Sequence, residues 1–217
     1  ERGGNTFDTA HIYGDGLTEG LVGQWMRHRG VREQAVLIGK GGHSPWCTPD
    51  YITQQLDESL ARLQTGHVDI YFLHRDNPAV PVGEFIDVLN GHVQAGRMRI
   101  FGASNWTIGR VAAANRYAKR KGLQGFAALS NQFSLARMVA AQWAGCLSAG
   151  DTVSWKWLRK TKMPLFAWSS QARGFFGDRT GRPEDPELAL LGVGGQHRAS
   201  RAGGIAGGAE GRAGVCG

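Results

Sequence analysis

The chain has 217 residues, 41% of them apolar, and a formal charge of +7. That length allows one domain with a substantial core, or a parallel barrel somewhat short of the usual ~250 residues. No apolar run approaches the ~20 residues that span a bilayer, which points away from a membrane partner. Basic residues cluster at 116–121 (RYAKRK) and 156–162 (KWLRKTK). They read as solvated helix faces, since no aromatic-interleaved or helix-turn-helix pattern accompanies them to suggest nucleic acid. Cys47, Cys146 and Cys216 are far apart and lack CxxC spacing. They read as reduced thiols of a cytoplasmic protein, with no metal site.

Residues 4–10 (GNTFDTA) read as a first strand carrying Asp8. After a glycine-containing loop, Thr18 and Glu19 suggest a helix start, a hydroxyl cap with an acid in the first turn. Leu21, Val22, Trp25 and Met26 form its apolar face and Gly30 its stop. Residues 35–38 (AVLI) are a second strand with Lys40 just past its end. Thr48-Pro49 opens the clearest helix, with Ile52, Leu56, Leu60 and Leu63 in one stripe. Residues 68–73 form the third strand, and the apolar run of IYFLHRD (residues 70–76) ends abruptly in His74. Phe85, Ile86, Leu89 and Val93 line the next helix. Residues 98–103 are the fourth strand, followed by Ser104, Asn105 and a helix that includes Ile108, Val111 and Ala112. Residues 126–130 are the fifth strand, with Asn131 and Gln132 beyond it. A helix begins at Asp151, and residues 164–168 (PLFAW) are the sixth strand, ending at Ser169 and Ser170. Residues 192–217 hold ten glycines and almost no large apolar side chains, a composition that predicts disorder or a non-native ending.

Strands alternate with helices six times, which argues for parallel βαβ units in an α/β fold. In a barrel of such units the carboxyl ends of the strands converge on one rim, where chemistry is done. Asp8, Tyr13, Lys40 and His74 all fall there. A phenol has a reference pKa near ~10, and a neighbouring ammonium lowers it. Lys40 can therefore acidify Tyr13, Asp8 can hold Lys40, and His74 can orient a reacting oxygen. The set suits protonation of an oxygen that gains negative charge, as when a carbonyl receives hydride. Taken singly, Asp8 also reads as a turn residue, Tyr13 as a loop aromatic, Lys40 as a surface lysine and His74 as a hydrogen-bonded structural histidine.

FDTAHIYGDGLTEGLVGQW (residues 7–25), LIGKGG (37–42), DIYFLHRD (69–76), FGASNW (101–106), SNQFSL (130–135) and PLFAWSSQARGFF (164–176) occur in this order. Together they resemble the aldo-keto reductase superfamily. The resemblance implies an incomplete TIM-type (β/α)8 barrel, with about six of eight units over residues 1–176 and a non-barrel tail over 177–217. It implies reduction of a small aldehyde or ketone with NADPH, NADH remaining open, and Tyr13, Asp8, Lys40 and His74 as the catalytic set. It places Ser104, Asn105 and Gln132 on the nicotinamide and its carboxamide, Trp168 stacked on that ring, and Ser169 and Ser170 at the pyrophosphate. The family's first and last barrel strands have no counterpart here, nor has the basic loop that grips the adenosine 2′-phosphate. A rival reading is therefore a catalytically silent fragment or a cofactor-sensing regulatory subunit. The oligomeric state and the physiological substrate are not specified by these motifs.

Overall fold

The computed structural model describes residues 3–176. The tail expected over 177–217 lies outside the described residues. Five parallel strands form one sheet in the order of the chain: β1 (Thr6–Asp8), β2 (Val36–Gly41), β3 (Val68–Leu73), β4 (Met98–Ser104) and β5 (Leu129–Ser130). The first four connections carry helices α1 (Leu17–Arg29), α2 (Pro49–Leu63), α3 (Val82–Gln94) and α4 (Ile108–Lys121), and α5 (Thr152–Thr161) follows β5. Strands laid down in sequence, each crossing back through a helix, are the wiring of a (β/α) barrel, here a partial one.

The pleat divides the core in two. Leu37, Tyr71, Leu73, Phe101 and Ala103 face the helices and pack with Ile52, Leu56, Phe85, Ile86 and Leu89. Ile38, Ile70, Phe72 and Ala128 form a smaller cluster on the opposite side of the sheet, with Ile100 against it. Strand residues alternate between faces, and both faces of β3 are covered, so all six of its residues are buried. That is why residues 70–73 read as consecutive apolar residues rather than an alternating strand; the one charged residue of β3, Asp69, is buried against Arg32 and Arg99.

Several boundaries differ from the sequence expectation, each for a local reason. Lys40 lies inside β2, paired with Phe72, rather than beyond its end. Helix α1 is capped by Gly16, not Thr18; Gly16 has φ 90° and a Cβ there would sit 2.7 Å from the Arg62 guanidinium. Glu19 is fully buried beside the same arginine, Nη1 to Oε2 3.3 Å, instead of facing solvent. Gly23 lets α1 ride against the backbone of α2, where a Cβ would lie 2.5 Å from the Arg62 carbonyl oxygen. Only Val22 and Met26 of the expected apolar face then reach the core, and Leu21 and Trp25 remain exposed.

The fifth strand is shorter than 126–130. The Asn115 side chain accepts from the Phe126 N–H (2.7 Å) and donates to its carbonyl (3.1 Å), tying that residue to α4. The sixth strand is reduced to single bridges, Leu129 with Leu165 and Gln132 with Trp168. Pro164 opens that run without an N–H, and β5 offers it only two ladder residues. Arg116, Lys119, Arg120 and Lys121 are exposed on α4, the solvated face expected for that basic cluster.

Candidate active site

The strands deliver polar side chains to one rim. Asp8 closes β1, Lys40 sits near the end of β2, His74 follows β3, Ser104 closes β4 with Asn105 after it, and Ser130 closes β5. Tyr13 comes from the short 3-10 helix Tyr13–Gly16 between β1 and α1. All of these line one cavity of about 1070 Å³. Its walls are otherwise largely apolar, with Ile12, Ile38, Phe72, Trp143, Phe166 and Trp168 contributing.

Lys40 is 5% exposed. Its Nζ donates to Asp8 Oδ1 at 2.5 Å and to the Thr9 carbonyl at 3.0 Å, so the buried ammonium is matched by a carboxylate. The same Nζ lies 5.0 Å from the centroid of the Tyr13 ring. The Tyr13 and His74 rings meet edge to face at 5.8 Å, and His43 packs edge-on to His74 from another side at 5.0 Å. Burial, with Arg75, Lys40 and His43 adding to it, pushes the His74 imidazole down to about 3. At neutral pH it is therefore uncharged, able to donate one hydrogen bond and accept another. Its Nδ1 is buried without a partner.

Ser104 and Asn105 are buried at the cavity floor. Ser104 Oγ donates to the Ser130 carbonyl at 2.8 Å. Asn105 Nδ2 donates to the His74 carbonyl and to Ser104 Oγ, while its Oδ1 accepts from the Leu147 N–H. Asn105 takes a positive φ of 58°, a conformation that asparagine tolerates better than most side chains. Trp168 and Ser169 line the opposite wall, and the Trp168 indole N–H is buried without a partner. Gln132 and Ser170 do not reach the cavity. Gln132 is buried nearby with its amide held by Ser134 and Ser148, and Ser170 is exposed.

Among the lining residues, His43, Arg75, Trp143 and Cys146 were given no site role from the sequence. His43 and Arg75 lie within quoted motifs or next to them, so position relative to a strand end was the available signal. Trp143 and Cys146 belong to the irregular segment after β5, where no periodicity announces a position.

The described residues thus form a partial parallel barrel with a Tyr, Lys, Asp and His group at its carboxyl rim. The chain belongs to the aldo/keto reductase family, whose pattern it matches over residues 1–188. It is 27% identical over 189 residues to the uncharacterized oxidoreductase YrpG of Bacillus subtilis (strain 168), covering 80% of this chain and 55% of that protein. A probable voltage-gated potassium channel subunit beta of Oryza sativa subsp. japonica is 30% identical over 132 residues, covering 58% of this chain and 40% of that one. Among solved structures, an aldo-keto reductase from Klebsiella pneumoniae in complex with NADPH superposes with a TM-score of 0.65 at 26% identity, covering 80% of this chain and 56% of that one. The chain thus spans about half the length of the curated relatives it matches. No helix among the described residues is long and apolar enough to cross a membrane.

Proposed function

We propose that the chain reduces a small aldehyde or ketone with NADPH, Tyr13 delivering the proton to the carbonyl oxygen. The observation that carries this reading is the single rim on which the Tyr13 ring meets His74 at 5.8 Å and the Lys40 ammonium at 5.0 Å. The nicotinamide end of the cofactor fits the cavity wall. Trp168 offers a half-buried aromatic face and an orphaned indole N–H, and Ser104 and Asn105 supply fixed polar atoms on the floor. Ser169 on that wall completes the candidate cofactor set; Gln132 and Ser170 stand outside the cavity behind it, Gln132 joined to the wall by its backbone bridge to Trp168. When bound, NADPH supplies the hydride.

The protein's part is positioning and proton delivery. Lys40, held charged by Asp8, places a positive charge beside the phenol and favours its ionised form once the proton has left. His74, neutral and rigidly packed, directs a hydrogen bond at the same oxygen without competing as an acid. Ile38 and Phe72 give that end of the cavity an apolar wall, and a less polar surrounding strengthens each of these interactions. We place this chemistry in the cytoplasm.

Titrating NADPH against the fluorescence of the seven tryptophans, then following carbonyl-dependent NADPH oxidation, tests the reading. Tyr13→Phe is expected to lower turnover by about 10²–10⁴ fold while leaving the cofactor titration in place. Turnover that survives Tyr13→Phe would refute Tyr13 as the acid. Parallel titration with NADH reports the cofactor preference. The likeness to a channel beta subunit favours one second reading, a cofactor-sensing regulatory chain. Saturable quenching with no turnover on a broad carbonyl panel selects it.

A further inference from the structure

One buried cation on the cavity wall is not used by the proton-transfer apparatus. Arg75 follows His74 and is 5% exposed. Its Nη1 donates to the His74 carbonyl at 2.9 Å and its Nη2 reaches the Cys146 sulfur at 3.3 Å. Its Nε is buried with no partner at all. Among the described residues no carboxylate pairs with it, and the adjacent Asp76 is gripped through both oxygens by Arg110, at 2.8 and 3.0 Å. The other cation on the wall, Lys40, is matched by Asp8. Arg75 therefore leaves the cavity with one uncompensated positive charge.

A guanidinium cannot shed its proton in a protein, so burial does not neutralise it as it does His74. Burying a charge is costly unless an opposite charge and good hydrogen bonds meet it. A neutral thiol is a weak acceptor. The two under-used positions, Nε and Nη2, form one edge of the fork, the edge that a carboxylate grips with two parallel hydrogen bonds. The segment over this edge is Gly145–Cys146, which an entering carboxylate has to displace. Gly145 lies against both the stem and Nε of Arg75, a hypothetical Cβ falling 3.4 Å from Cδ and 3.6 Å from Nε, so only a residue without a side chain leaves room there, and both Gly145 and Cys146 line the cavity.

We propose that Arg75 is a specificity-determining residue that receives a carboxylate carried by the carbonyl substrate. The bound group takes the Nε–Nη2 edge and replaces the weak thiol contact. Because Arg75 and His74 line the same cavity, the carbonyl and the carboxylate belong to one molecule, an oxo acid or an aldehyde acid. The position of the carbonyl rests on the reductase reading above; the anion site does not.

The test uses the full chain and a matched pair of probes, 4-formylbenzoate and its uncharged methyl ester. Binding is measured calorimetrically, without cofactor and again with saturating NADPH. The acid is expected to bind about tenfold or more tightly than the ester, as two charge-assisted hydrogen bonds imply. Arg75→Met is expected to abolish that preference while leaving ester binding unchanged, and Arg75→Lys to retain part of it. Equal affinities for acid and ester in the unaltered chain would overturn the proposal, and this arm needs no variant to fold. So would a preference that survives Arg75→Met. Loss of acid binding when NADPH is added would show that the guanidinium serves an anionic group of the cofactor, which also overturns it. Acid-selective binding with no NADPH oxidation would leave the anion site standing and refute only the reductase reading.

Discussion

Acid should unfold this protein through His74 before it protonates most carboxylates. The imidazole titrates near 6.5 in an unfolded chain and is pushed down to about 3 in the fold, where burial is the main cause and Arg75, Lys40 and His43 face it. Above pH 6.5 neither state holds the proton, and the group is silent. As pH falls below 6.5 the unfolded chain gains a proton that the folded one refuses, so stability is lost progressively towards pH 3. Each unit in that window costs ~1.4 kcal/mol, which makes the loss about 2 kcal/mol by pH ~5. His92 is also lowered by burial and adds to the trend, so the informative quantity is a difference. Urea unfolding of the unaltered chain and of His74→Gln, each at pH ~7.5 and ~5, isolates it, with the unaltered chain expected to lose about 2 kcal/mol more than the variant between the two conditions. If both lose the same amount, His74 is not the neutral, desolvated group described above. An NMR titration of the His74 ring gives a direct check, since its signal should not move between pH ~7.5 and ~5.

Two further outcomes follow from the packing. Leu56 is fully buried between α2 and the sheet, so Leu56→Ala is expected to cost about 2–5 kcal/mol, read from the urea midpoint. A cost below ~1 kcal/mol would mean that this interface is loose. Asn115→Ala removes both hydrogen bonds to the Phe126 backbone and leaves a part-buried N–H and carbonyl to find other partners. The expected cost is about 1–3 kcal/mol, with amide exchange accelerated selectively at Phe126 and Ala127.

What could be read in the sequence was whatever left a periodic or terminal mark. The stripe Ile52, Leu56, Leu60 and Leu63 is buried as its spacing required. So is the run 68–73, because a strand covered on both faces has nothing to alternate. Thr107 and Asp151 accept hydrogen bonds from the backbone at the starts of α4 and α5, a signal visible for Asp151 in advance. What failed was decided by partners distant in the chain. Gly16, Glu19 and Gly23 answer to Arg62, some forty residues away, and no window around Thr18 contains that information. Asn115 ties Phe126 to α4 by a side-chain contact that strand periodicity does not register. For the site, strand-end grammar singled out the polar residues on the rim. It missed Trp143 and Cys146, which are delivered by an irregular segment, and it could not foresee that Ser134 and Ser148 would hold the Gln132 amide off the cavity.

The segment that bears Tyr13 is fastened both by charges and by the sheet, since the His11 N–H donates to the Lys40 carbonyl of β2 at 2.8 Å. Arg62 on α2 holds the His11 carbonyl, Glu19 and Glu58, each at 3.3 Å, while the His11 ring meets Glu58 at 2.7 Å. Tyr13 is consequently linked to the outer helical layer as well as to β2, whereas Lys40 lies within β2 and His74 directly follows β3. Added electrolyte weakens the part-exposed Arg62–Glu58 pair but screens the buried Glu19 and the backbone bond to β2 far less, so this corner of the rim is built to hold its spacing as ionic strength rises.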